Sequence, residues 1–247
     1  MASATYILWL RSVKRYFRSR SRMFGSLAQP LFFFFALGFG LSNVVSTSNG
    51  SYTAFIAPGI IAMSVLFSSV FSGIQIIWDR QFGFLKETLV APVSRISIML
   101  GQTLGGATTS IIQGCLIFVL LLLIGSLKIS FGILLAFLFM ALIGLSFTAM
   151  GIAIASRIED MEGFPLIMNF VIMPIFFLSG ALFPLTNAPS ALKVITYLNP
   201  LTYGVEGMRY ALLGSSSINP LVCLSVLGGF GLLMVFLGAF LFNRIKA

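Results

Sequence analysis

The sequence has no histidine and only 6 acidic residues among 247. Without histidine the chain cannot form a Ser–His dyad, an HExxH zinc site or a histidine proton relay. Its only aspartates, Asp79 and Asp160, lie in polar connectors, which disfavours a paired-aspartate protease within a membrane. A Gly-x-x-x-x-Gly-Lys-Ser/Thr phosphate loop is also missing, so the chain cannot hydrolyse ATP by that means. We predict no catalytic residue, metal site or cofactor in this chain.

Charged residues are scarce, at 9% of the chain, whereas 58% of residues are hydrophobic and the mean hydropathy is +1.06. Soluble globular domains carry about 25% charged residues. The composition is that of an integral membrane protein. Cys115 and Cys223 lie inside apolar runs and have no CxxC spacing, so we interpret them as small core residues rather than as disulfide or metal partners.

Long apolar runs separated by polar breaks predict an all-α membrane domain with six transmembrane helices. A helix crosses the bilayer with roughly 20 apolar residues. A strand barrel is disfavoured, because barrel strands alternate in polarity and these runs are continuous. The predicted single transmembrane domain, residues 1 to 247, has its spans at residues 24 to 43, 54 to 78, 98 to 125, 131 to 155, 164 to 183 and 219 to 242.

The net charge of +9 comes mainly from basic residues on one side of the predicted domain. The opposite side has Lys128, Lys193 and Arg209. The positive-inside rule then places both termini in the cytoplasm, which requires an even number of spans. Because these charges are topology signals, no nucleic acid is expected as a partner. The basic residues of the cytoplasmic side are Arg11, Lys14, Arg15, Arg18, Arg20, Arg22, Arg80, Lys86, Arg95, Arg157, Arg244 and Lys246.

An amphipathic helix is predicted in residues 1 to 22, ahead of the first span. Its apolar side chains recur at the spacing of one helix face, at Tyr6, Trp9, Leu10, Val13 and Phe17. The basic side chains fall mostly on other faces, where anionic lipid headgroups can bind them. We expect an interfacial helix on the cytoplasmic leaflet, either as an anchor that sets orientation or as a mechanical part.

The connector between the second and third spans, residues 79 to 97, contains a second amphipathic segment. Phe82, Leu85 and Leu89 are spaced i, i+3 and i+7, which predicts a helix over residues 81 to 90 with one apolar face. The proline that follows ends it. Such a helix is about 15 Å long, enough to lie across the groove of a partner protein. The alternative is a helix that only packs on lipid headgroups.

Every acidic residue lies in a connector or at the end of a predicted span. Ion-coupled carriers usually hold ionisable groups in the middle of spans, because these groups carry the protons or ions. A proton-driven carrier therefore has little support. The energy for any transport should come from outside this chain.

The same connector carries a motif, which reads Asp79-Arg80, then Gly83, Leu85, Glu87 and Leu89, then Pro92-Val93-Ser94-Arg95. With this motif the chain resembles the membrane subunits of type-2 ATP-binding-cassette (ABC) exporters, which include prokaryotic drug-resistance and polysaccharide exporters. Gln81 stands where such sequences often have glutamate, and Phe84 where threonine is frequent. A second similar element is Ser179, Gly180, Phe183 and Pro184, followed by Asn199 to Tyr203 and by Arg209.

The resemblance implies a permease subunit that moves a hydrophobic or lipid-linked substrate out of the cytoplasm across a prokaryotic plasma membrane. Two copies of a separate ATPase subunit, which bind ATP and Mg, would drive a homodimer or a pair of paralogous permeases. Membrane lipids are the remaining expected partners. The residues that the resemblance assigns to ATPase coupling are Asp79, Arg80, Gln81, Gly83, Phe84, Leu85, Lys86, Glu87 and Leu89.

Prolines interrupt the apolar stretch ahead of the last span, at Pro174, Pro184, Pro189 and Pro200. We expect short helices between residues 184 and 216 that re-enter the membrane from the outer face. Glu206 and Arg209 are one turn apart and can pair, most simply as a surface ion pair, with substrate binding as the alternative. The resemblance makes this segment an outer gate, with candidate residues Phe183, Pro184, Asn199, Pro200, Tyr203, Glu206 and Arg209.

Aromatic residues of the second and fifth spans are candidates for an apolar substrate path, namely Phe67, Phe71, Phe176 and Phe177. Packing within the spans is the simpler explanation, because the chain holds 26 phenylalanines. Two other functions stay open. A non-transporting scaffold would recruit a cytoplasmic partner through the same connector, and a secondary carrier would use an ion gradient.

Overall fold

The computed structural model describes residues 2 to 42, 51 to 84, 93 to 128, 131 to 158, 162 to 184 and 189 to 244. Within these ranges the chain forms 9 helices and no strand, which confirms the predicted all-α membrane fold. The helices are α1 (Ala2–Arg18), α2 (Arg20–Gly40), α3 (Tyr52–Gln81), α4 (Arg95–Leu123), α5 (Ile133–Ala155), α6 (Gly163–Phe177), α7 (Ser190–Leu198), α8 (Pro200–Leu213) and α9 (Pro220–Phe242).

In the part of the chain that the structure describes, 5 helices are long and apolar enough to cross a membrane, namely α2, α3, α4, α5 and α9. They coincide with five of the six predicted spans to within a few residues. The remaining one, residues 164 to 183, is shorter than predicted, because α6 ends at Phe177 and the chain turns at Leu178. A helix of this length covers about 22 Å, less than the roughly 30 Å of hydrocarbon in a bilayer.

The interior of α6 contains a wide turn with π geometry at Met168–Ile172. Pro174 lies two residues after its end and has no N–H to donate to the preceding turn. A π turn is one of the local adjustments that accompany such a break in the hydrogen bonds of a helix. The helix nevertheless continues past Pro174 to Phe177.

Asparagine–proline pairs start the last two helices. Asn199 accepts a hydrogen bond from the Leu201 N–H at 3.0 Å, and Pro200 occupies the first turn of α8. Asn219 caps α9 in the same way, accepting from the Leu221 N–H at 2.9 Å. These caps satisfy free N–H groups, and a proline in the first turn loses no hydrogen bond. The predicted division of this segment into short helices is confirmed.

The centre of the domain is α3. In its most apolar stretch 78% of residues are buried, compared with 17% in α9 and 22% in α2. It packs against α2, α4, α5 and α8. The outward faces of α2 and α9 expose large apolar side chains, as expected of helices that face lipid or another subunit.

The amino-terminal helix α1 packs along α4, and the two helices run in the same direction. Hydrogen bonds between described residues join them: Thr5 Oγ1 to the Ser97 carbonyl at 3.2 Å, Trp9 Nε1 to Thr108 Oγ1 at 3.0 Å, and the Tyr16 hydroxyl to Gln113 Oε1. Tyr6 and Phe17 remain exposed on the same helix. Part of the apolar face that the sequence predicts therefore lies against protein.

A close contact between α3 and α5 occurs at Gly73. A side chain at this position would begin 2.7 Å from the Ile152 nitrogen and 2.7 Å from the Thr148 oxygen, both on the backbone of α5. Gly151 lies opposite, where an added Cβ would be 3.0 Å from the Val70 oxygen. Small residues at helix crossings are what permit such close packing in membranes.

Candidate functional site

The end of α3 leads into the segment predicted to contact an ATPase. The helix stops at Gln81, and the chain turns through Phe82 and Gly83. Gly83 has a φ of +76°, a left-handed value that favours glycine. The predicted helix over residues 81 to 90 is therefore wrong at its start, because Gln81 belongs to α3 and Phe82 to the turn. The predicted coupling residues Leu85, Lys86, Glu87 and Leu89 lie outside the described residues.

On the last turn of α3, Asp79 forms ion pairs with two arginines of α1. Its carboxylate lies 3.3 Å from Arg11 Nη2 and 3.6 Å from Arg15 Nη1. Asp79 is only 8% exposed, whereas both guanidinium groups are partly exposed. Burial lowers the pKa of Arg11 from its ordinary value, and the Asp79 carboxylate opposes that shift. The motif resemblance assigned Asp79 to coupling, but these partners were not predicted.

The Arg11 guanidinium also lies over the ring of Phe84, 3.6 Å from its centroid. A cation–π contact of this kind contributes about 0.5–1 kcal/mol at an exposed site. Arg80 is half-buried and Gln81 is exposed on the same turn of α3. We call Asp79, Arg11, Arg15 and Phe84 the α1–α3 joint. It joins two helices immediately before residues 85 to 92.

The pairing of Glu206 with Arg209 within α8 is confirmed, but the pair is buried. Glu206 is 0% exposed and Arg209 is 4% exposed. The interpretation as a surface ion pair is therefore wrong. The physical reason is that α8 packs against α3, α5 and α9, so that several of its faces are covered. Sequence spacing shows that two side chains can meet, but not what encloses them.

Backbone and ring contacts surround this buried pair. Arg209 Nη2 donates to the Gly180 carbonyl at 3.0 Å, and Glu206 Oε2 accepts from the Ser217 N–H at 2.6 Å. The Arg209 guanidinium also lies over the Phe55 ring, 4.1 Å from its centroid. Buried charges are costly unless they are paired and hydrogen-bonded, as they are here. The pair thereby fastens α8 to the turn after α6, to the start of α3 and to the link before α9.

The other residues predicted for the outer gate occupy separate places. Asn199 caps α8 and donates from Nδ2 to a backbone carbonyl of α6. The Tyr203 hydroxyl donates to a backbone carbonyl of α7 at 2.8 Å. Phe183 is 52% exposed, Pro184 is half-buried, and Pro200 lies in the first turn of α8. The segment is held together by its polar residues rather than by the phenylalanine.

Two of the four phenylalanines predicted for a substrate path, Phe67 and Phe71, line a cavity of about 490 Å³. Phe176 is fully buried, and its ring centroid lies 6.2 Å from that of Phe67 and 5.4 Å from that of Phe177. For Phe176, packing within the spans is the better description. The cavity lies between α1, α2, α3, α4 and the start of α6.

A polar stripe of α3 forms one wall of this cavity, with Ser64, Ser68, Ser72, Gln75 and Asp79. These residues recur every third or fourth position and therefore share one helix face. Polar residues within an apolar span usually face protein or a water-filled space rather than lipid. The stripe was not predicted, although its spacing is visible within the second apolar run.

Comparisons with known proteins agree with this architecture. Residues 3–213 match the family model for the ABC-2 type transporter. Nodulation protein J of Rhizobium leguminosarum bv. viciae is 29% identical over 224 residues, which cover 90% of this chain and 83% of that protein. Nodulation protein J of Rhizobium meliloti (strain 1021) is 30% identical over 223 residues, covering 89% and 85%. The ycf38 transport permease of Pyropia yezoensis is 32% identical over 217 residues, covering 85% and 72%. The chain therefore belongs to the ABC-2 type transporter family and forms a multi-pass membrane subunit of a transporter.

Proposed function

We propose that this chain is the permease of an ABC exporter, which moves a hydrophobic or lipid-linked substrate out of the cytoplasm. A separate ATPase subunit, present in two copies, binds ATP and Mg and supplies the energy. The permease pairs with a second copy of itself or with a paralogue. The complex works in a prokaryotic plasma membrane with both termini of the permease in the cytoplasm, an orientation supported by the distribution of basic residues. This orientation requires α6, together with the turn that follows it, to complete a sixth crossing.

The α1–α3 joint is the observation that carries this proposal. Phe84 lies at the start of the predicted coupling segment and contacts Arg11 of α1. Arg11 is paired with Asp79 of α3, and α1 is hydrogen-bonded to α4. A displacement of the segment is therefore transmitted to α1, α3 and α4, because each of these helices is in direct contact with the next.

Movement of α3 is the proposed link between ATP and the cavity. ATP binding closes the ATPase dimer, displaces residues 79 to 97 and tilts the spans, so that the cavity changes its opening. Asp79 lies at one end of α3, and Phe67 and Phe71 line the cavity further along the same helix. Because a helix transmits displacement along its axis, a shift at Asp79 moves the cavity wall.

Charge reversal in the coupling segment tests the proposal. The permease and its ATPase, expressed together, should copurify and move substrate in vesicles with ATP. Arg80→Glu and Glu87→Lys should each abolish substrate movement while ATP hydrolysis continues. Arg157→Glu makes the same change as Arg80→Glu at an exposed site on the same predicted side, and it should export normally. Full export by the permease alone contradicts the proposal.

The same vesicles distinguish the two other functions. A scaffold gives no ATP-dependent movement with any partner, and a secondary carrier moves substrate with an ion gradient alone. Among the described residues, the buried carboxylates Asp79 and Glu206 are each paired with arginine. Both carboxylates therefore act in contacts that hold helices together rather than as free groups in the middle of a span, which favours the ATP-driven exporter.

A further inference from the structure

The cavity beside α3 has a charged end and a hydroxyl-lined end. Asp79, Arg11 and Arg15 line it at the end of α3, and Ser64 lines it further along the same helix. Because a helix rises 1.5 Å per residue, Asp79 and Ser64 are about 22 Å apart along α3. With a volume of about 490 Å³, the cavity suits an extended polar group better than a single small ion.

Among the described residues, the charged end of the cavity has more positive than negative charge. Two guanidinium groups, those of Arg11 and Arg15, share the single carboxylate of Asp79. Arginine presents five N–H donors in a planar fork that fits phosphate and carboxylate groups. The two side chains are 27% and 32% exposed, so a ligand in the cavity can reach them. The excess charge and the free donor capacity favour an anionic group at this end.

The rest of the α3 wall offers hydroxyl and amide groups, from Ser64, Ser68, Ser72 and Gln75. Ser64 is 2% exposed, and its Oγ has no hydrogen-bond partner among the described residues. A buried hydroxyl without a hydrogen-bond partner is unfavourable. A hydrogen bond to a ligand removes this cost and so favours binding. Phe67 and Phe71 add apolar faces beside the serines. This wall matches a ligand with several hydroxyl groups.

From these features we infer that the cavity binds the headgroup of an anionic, polyhydroxylated amphiphile. The anionic group lies at Arg11 and Arg15, and the hydroxyl groups lie along the serines of α3. The inference rests on the proposed function only in naming this amphiphile as cargo. Binding itself requires neither ATP nor the ATPase subunit.

Native mass spectrometry of the full chain in detergent measures the preference directly. The probes are three lipids with the same acyl chains: phosphatidylinositol, phosphatidic acid and phosphatidylcholine. Phosphatidylinositol should bind about tenfold more tightly than phosphatidylcholine, because one charge-assisted hydrogen bond contributes enough binding free energy for a tenfold ratio of dissociation constants. Phosphatidic acid, which has an anionic phosphate group without the hydroxyl groups, should lie between them. Equal binding of the three lipids overturns the inference.

Matched arginine variants locate the anionic group. Arg11→Gln with Arg15→Gln should remove the preference for both anionic lipids. Arg18→Gln with Arg20→Gln removes the same charge from exposed side chains that do not line the cavity, and it should keep the preference. A preference that survives the first pair, or that is lost equally in the second, contradicts the assignment to this cavity.

Serine variants test the hydroxyl-lined wall while the charged residues of the cavity stay unchanged. Ser64→Ala with Ser68→Ala should lower the affinity for phosphatidylinositol to that for phosphatidic acid and leave phosphatidic acid unchanged. The change removes only two hydroxyl groups, so it remains informative if the arginine variant fails to fold. An unchanged preference for phosphatidylinositol over phosphatidic acid in this variant counts against the inference.

Trp78 reports where the lipid binds. The chain has 2 tryptophans, Trp9 and Trp78, and of the two only Trp78 lines the cavity. In the Trp9→Phe protein, phosphatidylinositol should shift the fluorescence of Trp78, and excess inositol 1-phosphate should reverse the shift. Trp78 fluorescence that stays unchanged overturns the inference. Loss of ATP-driven transport with this binding intact counts against the proposed function alone.

Discussion

Arg11 and Asp79, which are 68 positions apart in the chain, are joined by a hydrogen bond of 3.3 Å between α1 and the last turn of α3. Arg15 approaches the same carboxylate from the next turn of α1, at 3.6 Å. The helix that precedes the first span is therefore attached to the end of the second. Because both arginines are partly exposed, solvent weakens these ion pairs.

Replacing the shared carboxylate should have a modest effect on stability. Asp79→Asn should lower the free energy of unfolding by about 1 kcal/mol, because it removes ion pairs that are partly screened. Arg11→Gln should cost less in the Asp79→Asn protein than in the wild type, with a coupling of about 0.5–1 kcal/mol. Thermal unfolding of the four proteins in one detergent measures this coupling. Effects that add to within about 0.3 kcal/mol would contradict the pairing.

Breaking the buried pair of α8 should be far more damaging. Glu206→Gln should lower the free energy of unfolding by about 3–5 kcal/mol, because it leaves Arg209 buried without its counter-charge. The joint change Glu206→Leu and Arg209→Met should recover much of the loss. Glu162→Gln, which neutralises an exposed carboxylate, is the control and should stay within about 0.5 kcal/mol of the wild type. Equal unfolding temperatures for the two glutamine variants would count against a stabilising role of the buried Glu206–Arg209 pair.

The helix crossing at Gly73 should not tolerate a methyl group. Gly73→Ala should destabilise the fold by about 1–3 kcal/mol, because the new Cβ meets the backbone of α5 rather than a flexible side chain. Gly229→Ala in α9 is the matched control, since no atom lies within 4 Å of its added Cβ. That variant should be neutral or slightly more stable. Circular dichroism during heating compares them, and similar melting of both variants would be the contrary result.

Stability should decline at high pH through Tyr16. Burial raises the pKa of its hydroxyl from 10.0 to about 12. The folded state holds this proton more tightly than the unfolded state, so the stabilisation is fully present below pH 10 and is lost as the pH rises towards 12. Tyr16→Phe should lower stability by about 0.5–1.5 kcal/mol at neutral pH, through the lost hydrogen bond to Gln113.

The Tyr16→Phe protein should also show a flatter loss of stability between pH 10 and pH 12 than the wild type. Chemical denaturation at several pH values measures both the loss of stability at neutral pH and the decline between pH 10 and pH 12. If the wild type and the Tyr16→Phe protein lose stability equally, the decline at high pH is due to the ionisation of another group.

The long helices could be predicted because a membrane span needs an unbroken apolar run, and capping residues mark where it begins. Ser94 and Asn219 accept backbone N–H groups at the starts of α4 and α9. The end of α6 could not be predicted in the same way. The apolar sequence continues to Phe183, whereas the helix stops before a turn in which Gly180 has a φ of +71°. The Ser179–Gly180 pair is the local sign of that turn, within a run that is otherwise apolar.

The site was only partly predictable for a related reason. Asp79 belongs to a recognisable motif, but its partners lie on α1, and periodicity describes neighbours along one helix only. The i, i+3 spacing of Glu206 and Arg209 predicts their pairing, while their burial depends on the helices that pack around α8. The polar stripe that begins at Ser64 follows helical spacing and could have been found.

The glycine crossing between α3 and α5 also limits how the domain can move. With Gly73 against the backbone of α5 and no side chain in between, neither helix can turn about its own axis without a collision. The two helices therefore move as one rigid pair. The cavity can therefore widen only if this pair moves relative to α1, α2, α4 and α6, which line its other sides. A ligand inside the cavity therefore meets an α3 wall that shifts only together with α5.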